Sequence, residues 1–362
     1  MSQETEAAIK AITIVVFCYR GEEEILPMTL GRAKAAFPTA KLHLFDDSLD
    51  PLRPATVAQL SSQFGCSYSV TTFDRQVNLN GKECVIGELE SMVSAMDTDD
   101  NKDGYLIKMD PDTIVLRPEY VLNALARGAE FIAHNSVKGV FAGMFYVAKR
   151  DIIEAALVTA REASLPDACA EDCTIGSLCY LTAHRRPHVW MDVATGINAR
   201  YFAALPTACL DGPSYWNDIV FCSRAGCILT VGNTALDGWS KGYQTKLTAD
   251  LLWAFYNPDE ALQRVTADFR PKLDVPQLPA LPIQNEGARR ISQVKADGHL
   301  VLKNPILAGR VTVPKQQTIS VSRDNPNSTP ASGESSKEQP TIDSPQVLAP
   351  EVPEEDVLQI ID

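Results

Sequence analysis

The sequence predicts an α/β fold in which a mixed, mostly parallel sheet is flanked by helices, and three observations carry that prediction. Short β-branched apolar runs alternate with segments of helical periodicity through the first half of the chain. The first run, "AITIVVFCY" (Ala11–Tyr19), is apolar throughout, as expected of a strand covered on both faces. Two later runs, "KLHLFDD" and "GYLIKMD", end on carboxylates. Ligands of parallel sheets bind beyond the carboxyl ends of strands.

The elements follow in order. "EEEILPMTLGRAKAAF" has helical spacing of its apolar residues and acids in its first turn. "KLHLFDD" (Lys41–Asp47) is the second strand, "ATVAQLSSQFG" a short helix and "CSYSVTTF" a third strand. "GELESMVSAM" (Gly87–Met96) is an amphipathic helix, and "GYLIKMD" a strand. Then come the strands "EFIAHN" and "GMFYVAK", a helix from about Arg150 to Arg161, and another near Thr174–Thr182. From Pro271 the pattern weakens into the proline-rich "RPKLDVPQLPALPIQ".

The chain of 362 residues is 45% hydrophobic and 22% charged, a globular composition with ample material for a core. A formal charge of −13 argues against nucleic-acid binding, which needs a basic face. From Val313 onward nine acidic residues face three basic ones, so the last fifty residues hold −6 of that total. This tail is rich in Ser, Pro, Gln and Glu and has no aromatic residue, so it is expected to be disordered. Its final "VLQIID" regains apolar character, as a motif docking a protein partner would, or as a terminus of no consequence. The opening "MSQETEAAIK" is polar and "AITIVVF" is too short to cross a bilayer. With nine cysteines and no CxxC pair among the clustered ones, reduced buried thiols in a cytoplasmic protein are expected before a zinc site.

The most informative stretch is "GYLIKMDPDTIVLRPE", where Asp110 and Asp112 flank one proline. Three readings compete. Asp-Pro-Asp is good turn chemistry. "DDNKDGYLIKMD", begun at Asp99, approaches an EF-hand calcium loop. Against that, position 12 is Asp110 where the bidentate Glu belongs, and "PDTIVLRPEY" makes a poor exiting helix. Third, two carboxylates held at a strand end can share Mg²⁺ or Mn²⁺ with the phosphate oxygens of a nucleoside diphosphate.

The neighbours bear on that choice through a resemblance. "TIVVFCYRG" with "LHLFDDSLDPL", then "DRQVNLNGKECVIGELESMV", "YLIKMDPDTIVL", "GVFAGMFYVAKRDIIEAA" and "AEDCTIGSLCYLT" resemble, in order and spacing, segments of GT-A fold nucleotide-sugar glycosyltransferases. The last of them is similar to the β-1,3-galactosyltransferase-like and Fringe-like branch. The likeness spans roughly Ala11 to Thr245 and reaches a superfamily, not an individual enzyme.

The resemblance implies a UDP-sugar donor and a DxD metal site on Asp110 and Asp112, with Asp110 also bearing on the donor. It places Phe17, Tyr19 and Arg20 near the base and phosphates, where Tyr19 can stack and Arg20 can pair. Phe17 reads equally as core. Asp46 and Asp47 could accept bonds from base or ribose, or cap a turn. Arg75, Asn78, Asn80, Gly81 and Lys82 suit a ribose or diphosphate, although "NG" is also a plain turn signal. Asp172, with Glu171 as runner-up, is the candidate base for an inverting transfer, in which the acceptor hydroxyl loses its proton as it attacks. Asp172 also reads as the N-cap of a helix beginning at Cys173. Trp216, Asn217, Trp239 and Lys241 are further candidates for acceptor or phosphate contacts. One departure from the family is clear: Gly232 and Asn233 stand where a metal-binding His is common, and His134 and His184 read as structural.

The organisation expected is an N-terminal segment (1–10), a GT-A catalytic domain (11–250), a C-terminal extension (251–312) and the acidic tail (313–362). The function expected is metal-dependent transfer of a sugar to a glycan, glycolipid or protein acceptor, by a cytoplasmic protein compatible with peripheral membrane association. Two rivals are a catalytically weak scaffold of the same fold and an NDP-sugar nucleotidyltransferase. The latter usually opens with a Gly-rich basic loop, whereas "FCYRGEEEIL" has one Gly and three Glu.

Overall fold

The computed structural model describes residues 12–73, 81–97, 104–135, 141–163, 171–183, 185–195, 202–205, 214–231, 241–273, 278–285, 293–296 and 299–302. The acidic tail therefore lies outside the described residues.

β1 (Ile12–Cys18) is buried at every position. Its even-numbered residues Ile12, Ile14, Val16 and Cys18 enter one core cluster, while Val15 and Phe17 enter another on the opposite face. That two-sided burial is why the run has no polar alternation. After a 3-10 turn at Arg20–Glu22 come α1 (Leu26–Ala36), β2 (Lys41–Asp46), α2 (Pro54–Phe64) and β3 (Ser67–Val70). Proline at the start of α2 fits its free first turn, and Gly65, at φ +66°, closes its end in the left-handed region that glycine enters without strain.

α3 (Gly81–Met96) precedes β4 (Tyr105–Met109), and after three intervening residues β5 (Thr113–Val115) begins. The following elements are α4 (Glu119–Ala126), β6 (Phe131–Asn135), β7 (Phe141–Lys149), α5 (Arg150–Glu162) and α6 (Glu171–Ala183). Beyond them lie β8 (His188–Thr195), β9 (Phe202–Leu205), α7 (Tyr215–Ala225), β10 (Ile228–Val231), α8 (Lys241–Tyr256) and α9 (Pro258–Gln263). A small antiparallel pair, β11 (Gln293–Ala296) and β12 (His299–Leu302), comes last.

The main sheet runs β3-β2-β1-β4-β7-β6-β8-β9-β10-β5. Among its described strands, only β7 and β5 run against the others. The mixed, mostly parallel sheet flanked by helices expected from the sequence is thus present. α1, α2 and α4 pack on one face, and α3, α5 and α6 on the other. A third cluster joins β5 and β10 to α7, α8 and α9.

The topology has a further consequence for the site. All strands of this sheet but β7 and β5 are parallel, so the carboxyl ends of β1, β2, β4 and β10 share one edge. β4 is central and β5 is terminal in the sheet order, yet residues 110–112 alone join them. Three residues span only about 10 Å, so the sheet curls until its last strand returns to the end of β4.

Candidate functional site

The Asp110–Pro111–Asp112 turn sits where that curl closes, held on several sides. The Asp110 amide donates to the Met144 carbonyl of β7, 3.0 Å away, and the Thr113 amide to the Asp110 carbonyl at 3.0 Å. Thr29 of α1 donates its hydroxyl to the Pro111 carbonyl. The Val231 amide, at the end of β10, donates to the Asp112 carbonyl at 3.0 Å.

The two carboxylates meet different partners. Lys108, only 4% exposed, places its Nζ 2.5 Å from Asp110 Oδ1 and 2.7 Å from the Gly143 carbonyl of β7. Asp112 accepts from Thr230 Oγ1 at 3.3 Å and from Gln244 Nε2 of α8 at 3.2 Å. Gln244 is fully buried, and the same amide nitrogen also donates to the Val231 carbonyl at 2.9 Å. Its Oε1 has no hydrogen-bond partner among the described residues.

Strand parity explains the pairing of Lys108 with Asp110. Leu106 lies in the cluster under α3, α5 and α6, and Lys108 follows two residues later between Val15 and Tyr146 of the adjacent strands. Asp110, two residues further, is on the same side at the strand's end. Buried lysines are rare unless paired, so a lysine inside an otherwise apolar strand signals a buried partner. That signal is present in "YLIKM" and is lost when the run is read as uniformly apolar. Thr230 and Gln244 give no local signal, because their contacts with Asp112 span 118 and 132 residues.

The turn supplies two carboxylates, each with about four lone-pair sites. Oxygen donors of this kind suit Mg²⁺ or Mn²⁺. No cluster of three or more His, Cys, Asp or Glu side chains occurs among the described residues. The turn fits an ion that takes its other ligands from water and a bound anion. It does not fit a calcium loop. Residues 7–11 of that loop would be Tyr105–Met109, a β-strand, and β5 follows where the exiting helix should be.

The first two strands deliver their residues unequally. Phe17 is 2% exposed and stacks on Phe45, with centroids 5.3 Å apart, so it is core. Tyr19 is half-buried, and its amide donates to Glu22 Oε2 at 3.2 Å. Arg20 is turned onto the loop after β2, donating Nε to the Pro51 carbonyl at 3.0 Å and lying 3.5 Å from Asp50. Asp46 corrects the expectation of a ligand contact. It is fully buried and accepts from the Leu52 amide at 2.8 Å and the Tyr68 hydroxyl at 2.6 Å. Burial raises its carboxyl above the ordinary carboxylate range. The cause is parity again: Asp46 pairs with Cys18 and follows Leu42 and Leu44 on the face opposite Lys108. Asp47 is half-buried, and its Oδ1 accepts from the Leu49 amide at 2.8 Å in a local turn.

Lys82 also departs from expectation. Its Nζ binds the carbonyls of Arg161 (2.9 Å) and Ala163 (3.0 Å), closing the end of α5. Arg75, Asn78 and Asn80 lie outside the described residues. Gly81 is the first residue of α3 and Lys241 the first of α8, and the Lys241 side chain lies outside the described residues. α6 begins at Glu171, two residues earlier than expected, so Asp172 belongs to the helix's first turn and is not its cap. The side chains of Glu171 and Asp172 lie outside the description, as do Gly232, Asn233, Trp239, His184 and the side chain of His134.

The Arg264 guanidinium lies 4.2 Å from the ring centroid of Trp216 and 4.0 Å from that of Trp253. Asn217 is tied to Thr266. Cys179, Cys222 and Cys227 are buried, and burial pushes the thiols of Cys179 and Cys227 up to about 12, so they stay protonated. Among the described residues no helix is long and apolar enough to cross a membrane.

No protein-family profile and no curated protein matches the chain. Among solved structures it is similar to an active-site mutant of LgtC, at 13% identity over 66% of this chain and 95% of that one, with a TM-score of 0.39. A second similar structure is the galactosyltransferase LgtC in complex with donor and acceptor sugar analogues, at 12% identity, the same coverage and a TM-score of 0.38. So loose a likeness bears no weight on function.

Proposed function

We propose that this chain is a glycosyltransferase that moves a sugar from a nucleotide-diphosphate donor, a UDP-sugar, to an acceptor hydroxyl with inversion. The observation that carries the reading is the aspartate turn. Asp110 and Asp112 lie at the carboxyl end of a central strand, on the edge where parallel sheets bind ligands, and are fastened there by β7, β10 and α8. The order of the segments around them resembles that of GT-A glycosyltransferases, and the mixed, mostly parallel sheet is compatible with that reading.

Asp110 and Asp112 would hold a divalent cation, whose chemistry is to neutralise charge on a departing diphosphate. The chain's own residues supply the rest. Tyr19, half-buried where β1 ends, can stack on the base. Asp47 stands at the neighbouring strand end for ribose or base hydrogen bonds. Phe17, Phe45 and Tyr146 form part of the apolar cluster on the face of the sheet that carries Lys108. Asp172, in the first turn of α6, is the residue we assign as base for the acceptor hydroxyl. Acceptors of the glycan, glycolipid or protein class suit such a transfer.

Isothermal titration of UDP, with and without Mn²⁺, tests this on the wild type and on Asp110→Ala/Asp112→Ala. Metal-dependent binding that the double variant loses is the expected result. Ca²⁺ binding with no response to any nucleotide would overturn it.

A further inference from the structure

Among the described residues, Lys108 is the buried ammonium at the turn, and it touches two walls at once. Its Nζ binds Asp110 Oδ1 at 2.5 Å and the Gly143 carbonyl at 2.7 Å. Lys108 thus orients the first carboxylate and fastens it to the antiparallel strand beside it. It also delivers a positive charge to an oxygen that a divalent cation would use. The affinity of a carboxylate site for such a cation follows its ligand charge, and a fixed charge this close acts strongly where water is scarce.

We propose that Lys108 is a positioning residue that competes with a divalent cation for Asp110, keeping metal affinity at the aspartate turn low until an anionic ligand brings further oxygens. Lys108 fixes the direction of Asp110 and holds the bare turn back from capturing metal. The role of the anion rests on the donor reading above; the contest between ammonium and metal does not.

The test measures Mn²⁺ affinity by electron paramagnetic resonance on the full chain without nucleotide, then with UDP. Lys108→Met should bind Mn²⁺ about tenfold more tightly than the wild type, because Asp110 Oδ1 loses the ammonium that opposes a second cation beside it. Lys108→Gln, which keeps an amide to donate to Asp110 and Gly143 but removes the charge, should show the same gain. It serves as the second variant if Lys108→Met does not fold by circular dichroism. Adding Asp110→Asn to either variant should return the affinity to within about threefold of wild type, as coupling through one carboxylate requires. A folded Lys108 variant that binds Mn²⁺ no more tightly than wild type would overturn the proposal, and so would a gain that survives Asp110→Asn. If UDP binds to none of the proteins while the Mn²⁺ series holds, the donor reading falls and the role of Lys108 stands. If UDP binds as expected and the series is flat, the reverse is true.

Discussion

Asp46 shows how a carboxylate at a strand end can be structural. Its Oδ2 takes two donors, while Oδ1 is buried with no hydrogen-bond partner among the described residues. Burial therefore outweighs those bonds, and the folded-state pKa lies above the ordinary 3.8. The folded protein thus holds this proton more tightly than the unfolded chain does. The associated stability is fully present below the unfolded pKa and is lost as pH rises through the folded one. Urea unfolding of wild type and Asp46→Asn across that range should show the wild type losing ground to the variant as pH increases from acid to neutral. A difference that stays flat with pH would show that Asp46 is not held away from its ordinary value. The strand-end acids "DD" are legible in the sequence, but which of them turns inward is not. It depends on a one-residue step in parity that only the pairing of β2 with β1 fixes.

At the scale of elements, the site is a junction between β4, β7, β10 and α8, and Gln244 is its fastener. One buried amide nitrogen reaches both Asp112 and the Val231 carbonyl, joining helix, strand and turn. Gln244→Leu should cost about 1–3 kcal/mol by stranding those acceptors and should weaken UDP binding, read by thermal denaturation and titration together. Unchanged melting and unchanged affinity would remove Gln244 from the account. The first seven elements can be read from sequence because each carries its own signal: two-sided apolar runs, amphipathic spacing, and Gly65 at a helix end. β8, β9 and β10 cannot. They are short, and their pairing partners lie far away in the chain, so local pattern says little about them. The same holds for Trp216, whose contact with Arg264 joins residues 48 positions apart and leaves no local signal.

At the scale of the molecule, α1 through Thr29, β7 through Met144, β10 through Val231 and α8 through Gln244 all contribute to the edge where the turn lies. A ligand bound there should stabilise the described body as a unit. At a free concentration about a hundredfold above its dissociation constant it adds about 2.7 kcal/mol, or a rise of roughly 5 °C in melting temperature. Calorimetry with UDP and Mn²⁺ should show one transition moved upward. A transition that splits, with one part unmoved, would mean that the two ends of the curled sheet unfold independently.

The return of β5 to the end of β4 also has a consequence in time. Thr113 meets Thr230 across 117 residues of chain, a stretch that takes on the order of ten seconds to synthesise. During that interval the growing polypeptide carries both aspartates without the strand that fastens them. A product released early would hold the motif and lack the site.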